Sequence, residues 1–220
     1  MTRILIIVAA VFLLSPAAIA QVEGNPENYC RNGLFAAENG PFSIAVVTKG
    51  RANFFSDDRD CPNGKNCRLR SYLISGDEVI VARQRDGFAC VWYQPKKGSE
   101  TVGWIEASRL RVRTDDASSG SWVGNWTYYD NSIAIGAGSK TGEFVVKGTA
   151  IWKGLGDNVH VGELDGKASI SDTELLYGFE DPPEDCRVTF RKAGNFLIVS
   201  DNMNCGGANV TFTGIYKRSK

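Results

Sequence analysis

The chain has a single histidine, two methionines and no net charge, with 25 Lys plus Arg against 25 Asp plus Glu in 220 residues. Each shortage removes a class of function. Any Ser-His-Asp or Cys-His arrangement must pass through His160, which sits in Asn158-Val159-His160-Val161-Gly162 with no nucleophile motif near it. No Cys-x-x-Cys occurs, so the usual zinc spacing is missing and no metal is expected. No phosphate-loop spacing occurs either, and Gly136-Ala137-Gly138 reads as a turn. The even charge balance gives no reason to expect nucleic acid or an anionic membrane surface as a partner. Beyond the first 20 residues no apolar run approaches membrane length, so no membrane span is expected. Helical periodicity is absent as well, and strands must carry the fold.

What is present begins with a targeting segment. Arg3 supplies a positive end, residues 4–14 are an uninterrupted apolar run, Ser15-Pro16 breaks it, and Ala18-Ile19-Ala20 places small residues at the cleavage positions. Residues 1–20 are therefore expected to be a signal peptide, with the mature chain starting at Gln21. No cysteine stands at that point, which argues against a lipid anchor. A periplasmic or secreted protein is the expectation.

All six cysteines follow the signal segment, and an even number in an exported chain reads as a disulfide set. Division of the chain near residue 117 leaves Cys186 and Cys205 alone in the second half, so they are expected to pair. The pairing of Cys30, Cys61, Cys67 and Cys90 stays open on counting. The preferred arrangement joins Cys61 to Cys67, stapling Pro62-Asn63-Gly64-Lys65-Asn66, and Cys30 to Cys90, tying an N-terminal arm to the first domain.

The local signals agree best over 68–112. Val79 and Val81 point to one side of a strand, Ile80 and Ala82 to the other, and Asp86-Gly87 turns the chain back. In the return strand Phe88, Cys90 and Trp92 alternate with Ala89, Val91 and Tyr93, so both faces meet apolar material and the sheet is wrapped. Gly103-Trp104-Ile105, the tight turn at Glu106-Ala107-Ser108 and Leu110 follow, while Ala52-Asn53-Phe54-Phe55-Ser56 is a short strand ahead of them. In these features the segment resembles a bacterial SH3-type domain. The resemblance implies a small barrel that binds cell-wall peptide or glycan without catalysis. Two departures are the Phe88 aromatic, where tryptophan is common, and the longer loop 57–67 with its two cysteines.

The expected division is an arm at 21–40, an SH3-like domain at 41–112, a polar linker at 113–121 and a second β domain at 122–220. In the last, Trp122, Gly124, Trp126 and Tyr128 share a face, as do Phe144, Val146, Gly148, Ala150 and Trp152. Further strands are expected at 159–161, 175–177, 186–191, 196–200 and 210–218. About eight antiparallel strands on short turns suggest an up-and-down barrel, which leaves no open edge. Gly124-Asn125-Trp126 and Tyr216-Lys217-Arg218 are similar to lipocalin-like barrels, in which a basic residue of the last strand covers a Trp of the first. The tail with Cys186, Val188, Phe190, Leu197, Val199, Asn204-Cys205-Gly206-Gly207, Asn209-Val210, Phe212, Gly214 and Tyr216 resembles C-terminal β domains of bacterial envelope proteins, including ones related to lysozyme inhibitors.

The fold class expected is thus all-β, an SH3-like small barrel followed by an antiparallel barrel of about eight strands. Phe55, Tyr72, Tyr93 and Trp104 are the candidate ligand-binding aromatics, since so small a barrel cannot bury every ring it carries. Arg109, Arg111 and Arg113 alternate on a strand and could hold an anion. The runs Asp57-Asp58-Arg59-Asp60 and 180–185 cluster acids but read as solvated loops rather than glycosidase pairs. The leading expectation is a non-catalytic envelope protein without cofactor that binds wall peptide or glycan. The alternative is an inhibitor of lysozyme or another cationic wall-degrading enzyme, with Glu180, Asp181, Glu184 and Asp185 entering the basic cleft.

Overall fold

The computed structural model describes residues 25–113 and 121–219. The expected signal peptide, the first residues of the arm and most of the linker lie outside them. The described residues form two antiparallel sheets and three short 3-10 turns, and no helix among them is long and apolar enough to cross a membrane.

Seven strands build the first sheet: β1 (Ser43–Val47), β2 (Arg51–Phe55), β3 (Arg68–Ile74), β4 (Glu78–Arg85), β5 (Phe88–Tyr93), β6 (Thr101–Glu106) and β7 (Leu110–Val112). Their spatial order is β3-β2-β6-β5-β4-β1-β7. The sheet curls into a half-barrel, and its edges β3 and β7 are not hydrogen-bonded to each other. The expected alternation is seen. Val79, Val81, Ala89 and Val91 enter the core inside the curl, with Phe54, Leu73 and Ile105. Ile80, Ala82, Cys90 and Trp92 face outward, yet they too are buried.

The second sheet is a closed barrel. Its strands are β8 (Gly124–Tyr128), β9 (Asn131–Ala137), β10 (Glu143–Lys153), β11 (Val159–Ser171), β12 (Glu174–Tyr177), β13 (Val188–Ala193), β14 (Phe196–Asp201) and β15 (Gly214–Arg218). Each pairs antiparallel with the next, and β15 returns to β8. The interior is filled by Trp126, Val146, Leu164, Phe190, Phe212, Tyr216 and their neighbours, with Trp122 and Trp152 packed against them. Arg218 lies over the Trp126 ring at 4.4 Å and donates to the Val123 and Ser121 carbonyls. Gly148 sits where a Cβ would press on Phe212, the Ser132 carbonyl and Leu164 at 3.1–3.3 Å, so a side chain there would require its neighbours to give way slightly.

Several boundaries differ from expectation by a residue or two, β13 for example starting at Val188 rather than Cys186, and three places differ more. Gly136 and Ala137 close strand β9 instead of forming a turn. β11 runs over thirteen residues, because its long partner β10 gives every one of its first eleven a mate. Residues 210–213 are not strand; Asp201 replaces the ladder there, accepting from Phe212 N at 2.7 Å and from the Thr211 and Thr213 hydroxyls at 2.8 and 3.0 Å.

All three expected disulfides are present, Cys30–Cys90, Cys61–Cys67 and Cys186–Cys205, and no cysteine is free. Such a set fits an oxidising compartment. Asp60 lies near Cys61 and Cys67, but both sulfurs are bonded to each other and cannot act as thiolate ligands.

The arm is not merely laid over the first sheet. Phe35 and Ala36 are buried in one cluster with Ile44, Ile80 and Trp92 of the first sheet and Ala193, Ile198 and Ile215 of the barrel. The rings of Trp92 and Phe196 meet edge to face at 5.3 Å. The outward side of β4 and β5 is therefore wrapped by the arm and the β13–β14 hairpin. Arg31 holds the arm through Asp57 at 2.7 Å, and Cys30 N donates to the same carboxylate at 2.9 Å. Asp57 is accordingly a structural acid with a side chain only 13% exposed, not part of a solvated run.

Candidate functional site

The four aromatic candidates do not form one groove. Trp104 is fully buried, with its Nε1 donating to the Asn28 carbonyl at 2.6 Å and the Arg83 guanidinium 5.3 Å from its ring centre. It offers no face to a ligand, because the arm, whose path the sequence could not place, covers it. Phe55 is half-buried, edge-on to Phe88 at 4.9 Å, on the outward side of the sheet. Tyr93 packs toward the inner core and donates to Asp77 at 3.3 Å. Tyr72 is exposed on edge strand β3, with the Arg51 guanidinium over its ring at 4.3 Å.

The three arginines do not share one strand: Arg109 closes the 3-10 turn 107–109, Arg111 is exposed on β7 and Arg113 follows it. Arg109 pairs with Glu106 at 3.2 Å and Arg113 with Glu78 at 2.8 Å. His160 rests against Trp152 at 5.2 Å, and its Nδ1 is 2.6 Å from the Ala208 carbonyl. A carbonyl only accepts, so Nδ1 carries the proton and the ring is committed to the loop after Cys205.

The acidic loop is the best-organised exposed feature. It leaves β12 at Gly178, whose positive φ of 74° and close approach to the Cys186 carbonyl admit no side chain. Asp185 N bonds to the Pro182 carbonyl at 2.9 Å, turning the chain within the loop. Three neighbouring side chains then take up its carbonyls: Arg187 donates to Asp181 O at 2.9 Å, Asn202 to Asp185 O at 2.6 Å and Asn204 to Glu184 O at 3.0 Å. The Cys186–Cys205 bridge locks the same two segments together.

The backbone is thus fixed while the carboxylates are not used in fixing it. Glu180, Asp181, Glu184 and Asp185 are exposed, and among the described residues none of their carboxylates makes a hydrogen bond or ion pair; Lys167 feels Glu180 only at longer range and pairs with Glu143 at 2.6 Å. Such a surface can meet a cationic partner with little ordering cost. Reading the sequence alone missed Asn202 and Asn204 as braces. The only local signal was Asn204 beside Cys205, and side-chain contacts nearly twenty residues apart leave no pattern.

A second polar constellation joins the two sheets. Glu100, between β5 and β6, accepts from the Tyr129 hydroxyl at 2.7 Å and from Tyr128 at 3.4 Å. Burial, then Glu100 and Tyr129, push the Tyr128 phenol up to about 12, and burial raises that of Tyr216 further. The neutral phenols are the favoured forms in the fold. Their contribution is complete below the unfolded value near 10 and disappears as pH rises through the folded value. We expect stability to hold to about pH 10 and to fall between about pH 10 and 12. An alkaline titration followed by phenolate absorbance and circular dichroism checks this. Simultaneous ionisation of all seven tyrosines with the fold intact would contradict it.

Comparison of the chain with protein-family models, curated proteins and solved structures finds no match.

Proposed function

We propose that this is an exported, non-catalytic cell-envelope protein, and that the braced acidic loop 180–185 engages the basic cleft of a cationic wall-degrading enzyme such as a lysozyme. The observation that carries the reading is the division of labour in the loop. Its backbone is held by a disulfide and three side-chain bonds, while its four carboxylates are exposed and unspent. A loop that must be ordered on binding loses affinity to that ordering, and this one is ordered beforehand. The likeness of the tail to domains related to lysozyme inhibitors points the same way.

The test is inhibition of a cationic lysozyme by the mature protein. Replacing Glu180, Asp181, Glu184 and Asp185 together by Ser should weaken inhibition by about a hundredfold or more, because several close charge pairs are lost at once. Wild-type inhibition should also weaken as salt rises. Inhibition untouched by the four replacements would remove the loop from the mechanism.

Wall binding by an SH3-type module is the second reading. It is supported by the hairpin and Gly103-Trp104-Ile105 resemblance and by the exposed Tyr72 ring. It is weakened by the dispersal of the other three aromatics. Co-sedimentation with peptidoglycan sacculi at physiological salt decides it, with retention expected to depend on Tyr72.

A further inference from the structure

Where the segment between β5 and β6 faces the β8–β9 turn, a groove of about 290 Å³ is lined by Gln94, Glu100, Thr127, Tyr128, Tyr129 and Lys217. We propose that this groove binds a saccharide, with Tyr129 as the stacking platform and Glu100, Gln94 and Lys217 as partners for sugar hydroxyls.

The backbone points to Tyr129 first. It is the first residue of a two-residue hairpin turn and has a φ of +49°. Glycine or asparagine is the ordinary occupant of such a position, since a bulky side chain is strained there. The strain has not brought the ring into the core, for Tyr129 is 72% exposed. A ring kept on the surface at a costly backbone position invites a functional reading.

The ring is also oriented in advance. Its hydroxyl is held by Glu100 at 2.7 Å and its edge meets Tyr128 at 4.7 Å, while Tyr128 rests on Tyr216 at 5.5 Å. A rigid aromatic loses little freedom on binding. The polar groups suit hydroxyls, which both donate and accept. Each Glu100 oxygen accepts a hydrogen bond from one tyrosine hydroxyl and keeps further accepting capacity. The Gln94 amide nitrogen is tied to the Pro95 and Gly98 carbonyls at 3.3 and 3.2 Å, which fixes the amide and leaves its oxygen to accept. Lys217 supplies donors and has no ion pair among the described residues. A phosphate would meet the Glu100 charge, and a purely aromatic ligand would leave these groups unpaired. A pyranose presents both an apolar face for the ring and a rim of hydroxyls for the rest.

The groove shares no residue with loop 180–185, so the saccharide and inhibitor readings stand or fall separately. The test is titration of the disulfide-intact mature protein with N-acetylglucosamine tetrasaccharide and with cellotetraose, followed by calorimetry and by amide NMR shifts. Saturable binding of at least one sugar is expected, with shifts at Tyr129, Glu100 and Lys217. Tyr129→Asn, which suits the left-handed backbone, should keep the melting temperature and weaken binding about tenfold or more. The four serine replacements in loop 180–185 should leave sugar binding unchanged. No saturation by either sugar at millimolar concentration would overturn the proposal, as would a Tyr129→Asn variant that binds like wild type. A Tyr129→Asn variant that melts earlier, in a protein that binds neither sugar, would show Tyr129 and Glu100 to be only a latch between the two sheets.

Discussion

Trp92→Ala should cost about 3–5 kcal/mol and divide a single thermal unfolding transition into two. Trp92 is 4% exposed and stands where three parts of the chain meet. It packs in one cluster with Phe35 of the arm, Ile80 of its own sheet and Ile198 and Ile215 of the barrel, and its ring meets Phe196 at 5.3 Å. A tryptophan truncated in such a place leaves a cavity bordered by both sheets, because neither can move alone to fill it. The wild type should therefore melt as one unit, and the variant as two. Differential scanning calorimetry reads the result directly. Two transitions already present in the wild type, or one retained in Trp92→Ala at an unchanged temperature, would show that the cluster does not couple the sheets.

Asp201→Ala should be nearly as severe, at about 3 kcal/mol or more, through a different cause. Residues 202–213 have no ladder partners, and Asp201 stands in for a neighbouring strand. Its carboxylate accepts from Phe212 N at 2.7 Å, Thr211 Oγ1 at 2.8 Å and Thr213 Oγ1 at 3.0 Å. Phe212 is fully buried, so its N–H would lose its acceptor with no water to replace it. The damage should spread to the acidic loop, since Asn202, Asn204 and Cys205 all belong to the segment that Asp201 arranges. Denaturant unfolding and the lysozyme assay should fall together. Asp201→Asn keeps an acceptor and should lose less in both. A loss below about 1 kcal/mol for Asp201→Ala would mean that other contacts hold the segment.

These two positions also mark where sequence reasoning reached and where it stopped. The alternation in 78–93 set the two faces of β4 and β5 without ambiguity, because strand side chains alternate with a period of two. It showed that the outward face had to be covered, and could not say by what. Cover came from Phe35 and Phe196, one in a turn-rich arm and the other on a distant hairpin. The same covering removed Trp104 from the surface. In the barrel, the inward set from Trp126 to Tyr216 was legible for the same reason of period, whereas the strand that Gly136 and Ala137 complete was not, since a glycine pair looks like a turn until a partner strand is beside it.

The acidic loop divides in the same way. Its charges, its proline pair and its adjoining cysteine are local and were readable. The amides that brace it come from residues close in space and remote in sequence. The sequence by itself determined the strand class, the inward and outward faces and the Cys186–Cys205 pair, because these follow from short-range periodicity and from two cysteines standing alone in the second half; the pairing of the other four was settled by the fold. Only the tertiary structure decided that the arm and both sheets share one buried cluster, that Tyr129 stands exposed beside Glu100, and that the carbonyls of loop 180–185 are braced by Arg187, Asn202 and Asn204. Each of those depends on long-range contacts that close the chain on itself, and no local pattern encodes which distant residue will arrive.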